Sequence, residues 1–166
     1  MTAPTADRAE CWFTAAHPDP SQLAIEWQQH PRWTAQFPAG RMRDAIAMPQ
    51  ALADDVVEVL GSLLVDQHTP ILADLRNRRV YFFTDPGQGG IWVGQDVWTL
   101  STGTWLTAPH PLNGPYDCPT VWRRRPHQNH GPLAVSDLRM ALRLVYPAYR
   151  RRIGSPQWLT SSGGIL

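Results

Sequence analysis

Four short runs of β-branched, aromatic and aliphatic residues between positions 69 and 125 constrain this chain more than any other feature. They are Ile71–Leu75, Val80–Thr84, Val97–Leu100 and Trp105–Ala108. Arg76-Asn77-Arg78, Asp85-Pro86-Gly87-Gln88-Gly89-Gly90 and Ser101-Thr102-Gly103 separate them. Apolar runs of strand length bounded by Gly, Pro, Asn and Asp read as an antiparallel meander. The spacing therefore predicts that Val80–Phe83 and Trp105–Thr107 share one sheet, joined through the strand near Val97–Leu100.

Helical periodicity appears on either side of the meander. Pro49 stands where a first-turn proline belongs, and Leu52, Val56, Val57, Leu60 and Leu64 follow at helical spacing, with Gly61 as the end signal. Downstream, Ser136-Asp137 opens a second helix with an apolar stripe of Leu138, Ala141, Leu142 and Val145, and Pro147 is expected to stop it. A shorter helix is expected over Gln22–Gln29, ended by His30-Pro31 because the residue before proline is pushed out of the helical region. Residues 31–40 read as a loop, and Arg41–Met48 as a first strand. The expected fold is α+β: a single domain over 1–166, with one mostly antiparallel sheet and helices 49–60 and 136–146 on one face. Residues 1–10 and 155–166 read as loose termini.

Bulk properties exclude more than they select. A chain of 166 residues is long enough for one real core, and 17% charged residues argue against wholesale disorder. A net charge of +1 gives no long-range attraction for a polyanion, so any nucleic-acid affinity must come from a local patch. All fifteen basic residues are arginine. Guanidinium groups suit phosphates and stacked bases, but codon usage in a GC-rich genome is the better account of the bias. Cys11 and Cys118 form no spaced framework, and no stretch approaches the length of a membrane span. A soluble, cytoplasmic protein with no membrane partner is expected.

Two arginine clusters stand out. Arg123-Arg124-Arg125, with Trp122 before it and His127 and His130 behind, reads as a phosphate clamp beside a stacking face, or as a plain solvated loop. Arg150-Arg151-Arg152 closes the last helix, where basic residues also complement the helix dipole without any ligand. His127, His130 and Cys118 lack a fourth ligand and tight spacing, so no metal site is read from them. Asp85–Gly90 links strands instead of opening a helix, which makes it turn chemistry rather than a phosphate cradle.

Three stretches resemble a known family. Gly40-Arg41-Met42-Arg43-Asp44-Ala45-Ile46-Ala47-Met48-Pro49 is a lead-in strand running into a proline-started helix. Arg78-Arg79-Val80-Tyr81-Phe82-Phe83 follows, and then Gly103-Thr104-Trp105-Leu106-Thr107-Ala108-Pro109 with Trp122 downstream. In this order they resemble small actinobacterial proteins described as bifunctional DNA primase/polymerase N-terminal domain-like. The resemblance spans about Gly40 to Leu142, and it implies a reduced primase–polymerase-like fold that handles nucleic acid or nucleotides. Active members need two acids on one strand and a third on another to hold divalent metal for the in-line displacement.

The chemistry-bearing positions of that resemblance are altered. The position of the phosphate-contacting histidine falls on Arg79, and that of the third acid falls on Trp98, with Asp96 two residues away. No D-x-D pair exists; the nearest, Asp66-Gln67-His68, lies at a helix exit. One carboxylate leaves a Mg²⁺ site with little protein charge. The expectation is a catalytically degenerate, accessory or regulatory domain that binds DNA, RNA or a nucleotide without a cofactor. Arg79, Arg123, Arg124 and Arg125 would contact phosphate, and Trp98, Trp105 or Trp122 would stack on bases. One alternative is an active Mg²⁺-dependent nucleotidyltransferase drawing on Asp66, Asp74 and Asp96. Another is a protein–protein interaction module with a Trp-rich face.

Overall fold

The computed structural model describes residues 14–63, 68–87, 94–111, 118–126 and 131–154. Its elements run α1 (Pro20–Gln29), β1 (Thr34–Pro38), β2 (Asp44–Pro49), α2 (Gln50–Ser62), β3 (Ile71–Asp74), β4 (Arg79–Thr84), β5 (Trp98–Leu100), β6 (Trp105–Pro109), β7 (Thr120–Arg124) and α3 (Val135–Gly154). The α+β class is as expected. The single sheet is not: five strands form a main sheet in the order β5-β2-β4-β3-β7, and β1 and β6 form a separate two-stranded ribbon. All pairings are antiparallel.

This division corrects the expected meander. β4 and β6 lie in different sheets, and β5 joins the main sheet through β2 rather than beside β4. The cause lies in the stretch between β5 and β6. β5 is only three residues long, and a tight turn follows it, closed by Thr104 N–H and its hydroxyl both donating to Ser101 O. The chain leaves the sheet there and needs another partner. Residues 34–38, read as loop, supply it: Ala35 and Phe37 face inward opposite Ala108 and Leu106.

Helices cover one side of the main sheet, and α1 with the ribbon covers part of the other, which explains the burial of Ala45, Ile46 and Met48 in β2. Alternation along the strands sorts the side chains. Ile46, Met48, Val80, Phe82, Ile71 and Ala73 face α2 and α3, where they meet Leu52, Val56, Leu60, Leu138, Leu142 and Val145. Ala45, Leu72 and Phe83 face the other way, toward Leu23 and Trp27 of α1 and toward the ribbon. The expectation that the two longer helices share one face holds. α1 begins with Asp19 as N-cap, its carboxylate accepting from Gln22 N–H at 2.9 Å, and ends at His30 as expected.

Several boundaries move for local reasons. Pro49 is the N-cap of α2 and the last residue of β2, and the helix runs through Gly61 to Ser62. α3 does not stop at Pro147 but continues to Gly154. Proline removes one i→i−4 hydrogen bond, yet tertiary anchors lie beyond it. Tyr149 is buried, and Asp96 accepts hydrogen bonds from Tyr146 at 2.9 Å and Arg150 at 3.0 Å, gripping the helix on both sides of the proline. Arg123 and Arg124, read as loop, belong to strand β7. Among the described residues no helix is long and apolar enough to cross a membrane.

Candidate functional site

The sequence candidates scatter once β7 is a strand. Successive side chains of a strand point to opposite faces. Trp122 packs toward the ribbon side, its indole Nε1–H donating to Pro109 O at 3.0 Å and its ring 6.0 Å from Phe83. Arg123 points to the helix side and pairs with Asp54 of α2 at 2.7 Å. Arg124 donates to Thr69 O at 3.1 Å, which ties it to the start of β3. Trp122 and Arg123 therefore cannot form one clamp, and of the three arginines Arg125 alone is exposed without a described internal bond. The second cluster is also engaged: Arg150 pairs with Asp96 and Arg152 with Asp55, both on the helix side. Exposed pairs of this kind contribute only about 0–1 kcal/mol each, but they hold the guanidinium groups in place.

The acid candidates do not converge. Asp74 caps the β3–β4 turn, accepting from Asn77 N–H at 2.9 Å and Nδ2–H at 2.7 Å. Asp96 lies at α3 with Tyr146 and Arg150. β3 and β5 are separated by β2 and β4, a spacing of roughly 14 Å at the usual interstrand distance. Asp66, His127 and His130 lie outside the described residues. Among the described residues no three His, Cys, Asp or Glu side chains are grouped to hold a metal ion. Gly87 donates its N–H to the buried Asp44 Oδ2 at 2.9 Å, a long-range contact that ties Asp85–Gly87 to the start of β2, and the rest of the glycine-rich stretch lies outside the described residues.

What the fold does assemble is a row across the main sheet. Ala47 pairs with Trp98 on one side and Tyr81 on the other, and Leu72 pairs with Tyr81 and Trp122. Trp98–Ala47–Tyr81–Leu72–Trp122 thus form a single cross-strand line. Tyr81, Leu72 and Trp122 pack on the ribbon side of the sheet, as does Leu100, two residues from Trp98 on β5. Three aromatic residues therefore stand on alternate strands of one face. Trp98 is 41% exposed at the open edge, whereas Tyr81 and Trp122 are half-buried. Trp105, the remaining aromatic candidate, is exposed on the outer side of the ribbon and does not join the row.

Arg79 completes the arrangement. It lies two residues before Tyr81, hence on the same face, and its guanidinium carbon sits 4.7 Å from the centroid of the Trp98 ring. Such a contact contributes about 0.5–1 kcal/mol at an exposed site. Asp74 is the register partner of Arg79 on β3. Burial raises the Tyr81 phenol above its ordinary value, Asp74 adds to the effect and Arg79 opposes it. Tyr81 was missed in the sequence because its importance comes from register: it shares a row with Trp98 only through the intervening strand β2.

Tyr146 and Tyr149 are also held above the ordinary tyrosine range, by burial first and then by Asp96. A raised folded value means that the fold prefers the neutral phenol. The stabilisation is complete below the unfolded value of about 10 and is lost as pH rises through the folded values. Alkaline titration is expected to show phenolate absorbance developing later in the native protein than in the denatured chain. The melting temperature should decline above about pH 10; coincident native and denatured titration curves would contradict the assignment. Arg43 is also buried, lowered by desolvation to about 10 with its guanidinium 6.0 Å from the Phe83 ring, and it stays charged at neutral pH.

Compared with known protein families, with curated proteins and with solved structures, the chain matches none.

Proposed function

We propose that the open edge of the main sheet around Trp98, Arg79 and Tyr81 binds nucleic acid or a nucleotide, and that the domain has an accessory or regulatory role without nucleotidyl transfer. The observation that carries the reading is the cationic–aromatic row: a guanidinium 4.7 Å over an exposed indole, with a second aromatic ring two strands away on the same face. Aromatic faces that stack on bases beside an arginine that meets phosphate are the usual means of holding unpaired nucleic acid. The primase–polymerase resemblance required β4 and β6 to share a sheet, and they lie in separate sheets, so the resemblance supports nothing further and the reading rests on the row alone. Arg123, Arg124, Arg150 and Arg152, with their internal contacts, are assigned to holding the fold. Arg79 remains the phosphate contact, with Arg125 as an outlying one.

An anisotropy titration with labelled oligonucleotides tests this. Binding to single-stranded DNA or RNA is expected in the micromolar range at low salt. Each phosphate contact should lower log K by about 0.7 per log unit of salt. Arg79→Ala should reduce both the affinity and the salt slope, whereas Arg123→Ala should change neither. Primer extension with Mg²⁺ or Mn²⁺ should be absent. Template-directed synthesis abolished by Asp96→Asn would overturn the non-catalytic reading, and no binding to any nucleic acid would favour the protein-interaction alternative.

A further inference from the structure

At Ala47 the row dips to a side chain that ends at its Cβ, between two aromatic residues. Side chains on a sheet stand roughly perpendicular to it, and neighbouring strands are about 4.8 Å apart. Trp98 and Tyr81 flank Ala47 on β5 and β4, so they rise from positions about 10 Å apart, and the residue between them reaches no further than its Cβ. A planar base held between two aromatic rings needs about 7 Å ring to ring, at contact distances of about 3.5 Å on each side. The strand spacing therefore leaves room for one planar group between two rings that rise from these positions. Yet Ala47 is 2% exposed, so the floor is covered in the free protein. The planar group placed over Trp98 is the guanidinium of Arg79, at 4.7 Å.

We propose that Trp98, Ala47 and Tyr81 form a slot for one unpaired nucleobase, and that Arg79 occupies the base position until the ligand enters. The inference rests on the binding reading above and specifies its ligand as a single base carrying a phosphate. On entry the base replaces the guanidinium against Trp98, and Arg79 turns outward to the phosphate of the same nucleotide. The exchange trades one planar contact for another, so closing the empty slot costs little and the buried floor never meets water. A duplex presents its bases edge-on and cannot use the slot without unpairing. A single strand and a free nucleotide offer the same base and phosphate.

This exchange gives Arg79 opposite effects on two ligands, which a merely structural arginine would not produce. With the full chain, dT8 and its uncharged methylphosphonate analogue are titrated by tryptophan fluorescence and anisotropy. Arg79→Ala should weaken the phosphodiester dT8 about tenfold through the lost phosphate contact. It should strengthen the neutral analogue about threefold, because a cation–π contact of ordinary strength no longer competes for Trp98. Trp98→Ala should weaken both by at least about fivefold, with Trp98→Phe between it and the native protein. Ala47→Val, checked for folding by its melt, should block both ligands. Arg79→Ala is exposed and keeps the test decisive if the valine variant does not fold. dTMP binding nearly as well as dT8 would assign the slot to free nucleotides, and much tighter dT8 would assign it to strands. If the native protein binds dT8 but Arg79→Ala weakens both ligands or leaves the neutral one unchanged, the slot is wrong and the binding surface stands. If neither the oligonucleotides nor dTMP binds, both readings fall.

Discussion

Replacing Pro147 with alanine is expected to raise the melting temperature by about 4–8 °C. Pro147 lies in the interior of α3 and is exposed, so an alanine there meets no packed neighbour. It cannot donate to the carbonyl of Arg143, and its ring crowds that turn, a cost of about 3 kcal/mol in a helix interior. Part of that cost is returned in the unfolded chain, where proline has less freedom to lose, by about 0.4–1 kcal/mol. The difference leaves about 2 kcal/mol, which at this chain length corresponds to the stated shift. The helix survives its proline because Tyr149 is buried and Asp96 holds Tyr146 and Arg150 on either side. A corollary follows: Asp96→Ala should cost more stability in the native background than in the Pro147→Ala background. An unchanged or lower melting temperature for Pro147→Ala would mean that the interruption is required for the fit of α3 to the sheet.

Gly40→Ala should have the opposite sign, a loss of about 2–5 kcal/mol. Gly40 has φ +81°, and a Cβ built there would meet the backbone of Thr102, with Thr102 Cα at 2.7 Å. The position is where the chain passes from the ribbon into β2, against the turn that passes from β5 into β6. Ala39 N–H donates to Thr104 O at 2.9 Å, so the two segments cannot part without breaking that bond, and Gly40 N–H donates to Arg43 O at 2.7 Å within its own turn. Gly103 provides the control, because it has φ +91° but open space around its Cβ position. Gly103→Ala should lose only the conformational part, about 1–2 kcal/mol. Denaturant titrations of the two variants separate the close approach from the backbone preference. Equal losses would show that the contact with Thr102 relaxes freely.

The parts of the fold legible in the sequence are those written in a local period. Leu52, Val56 and Leu60 announce α2, and Leu138, Ala141, Leu142 and Val145 announce the first three turns of α3, because helical spacing needs no knowledge of partners. Strand runs were visible too, but partner choice was not. β6 has the alternation of a meander strand, and only the turn after Leu100 and the hidden strand at Thr34–Pro38 send it to another sheet. β1 escaped because prolines stand on both sides of its short run. The arginines of β7 read as a loop because Pro126 and Gly131 punctuate the stretch just beyond them, yet the strand runs to Arg124 before that punctuation begins. The candidate site was legible in its parts: Trp98 and Arg79 were named from the chain. Their contact, and the presence of Tyr81 beside them, depend on the register of three strands, which no local pattern encodes.

β2 has a consequence for how the molecule comes apart. It is paired on both edges, to residues 79–84 and 98–100, and it supplies Ile46 and Met48 to one apolar layer and Ala45 to the other. Neither layer has a floor until β2 is in place, and β2 has no partner until segments thirty or more residues downstream arrive. The two layers should therefore share one cooperative transition rather than unfold in stages. Amide protons of Ile46 and Phe82 should exchange only through global opening, more slowly than those of the ribbon. Because the first productive contacts are distant in sequence, the chain should fold on the millisecond-to-second scale of sheet-dominated domains despite the helices packed on its sheet.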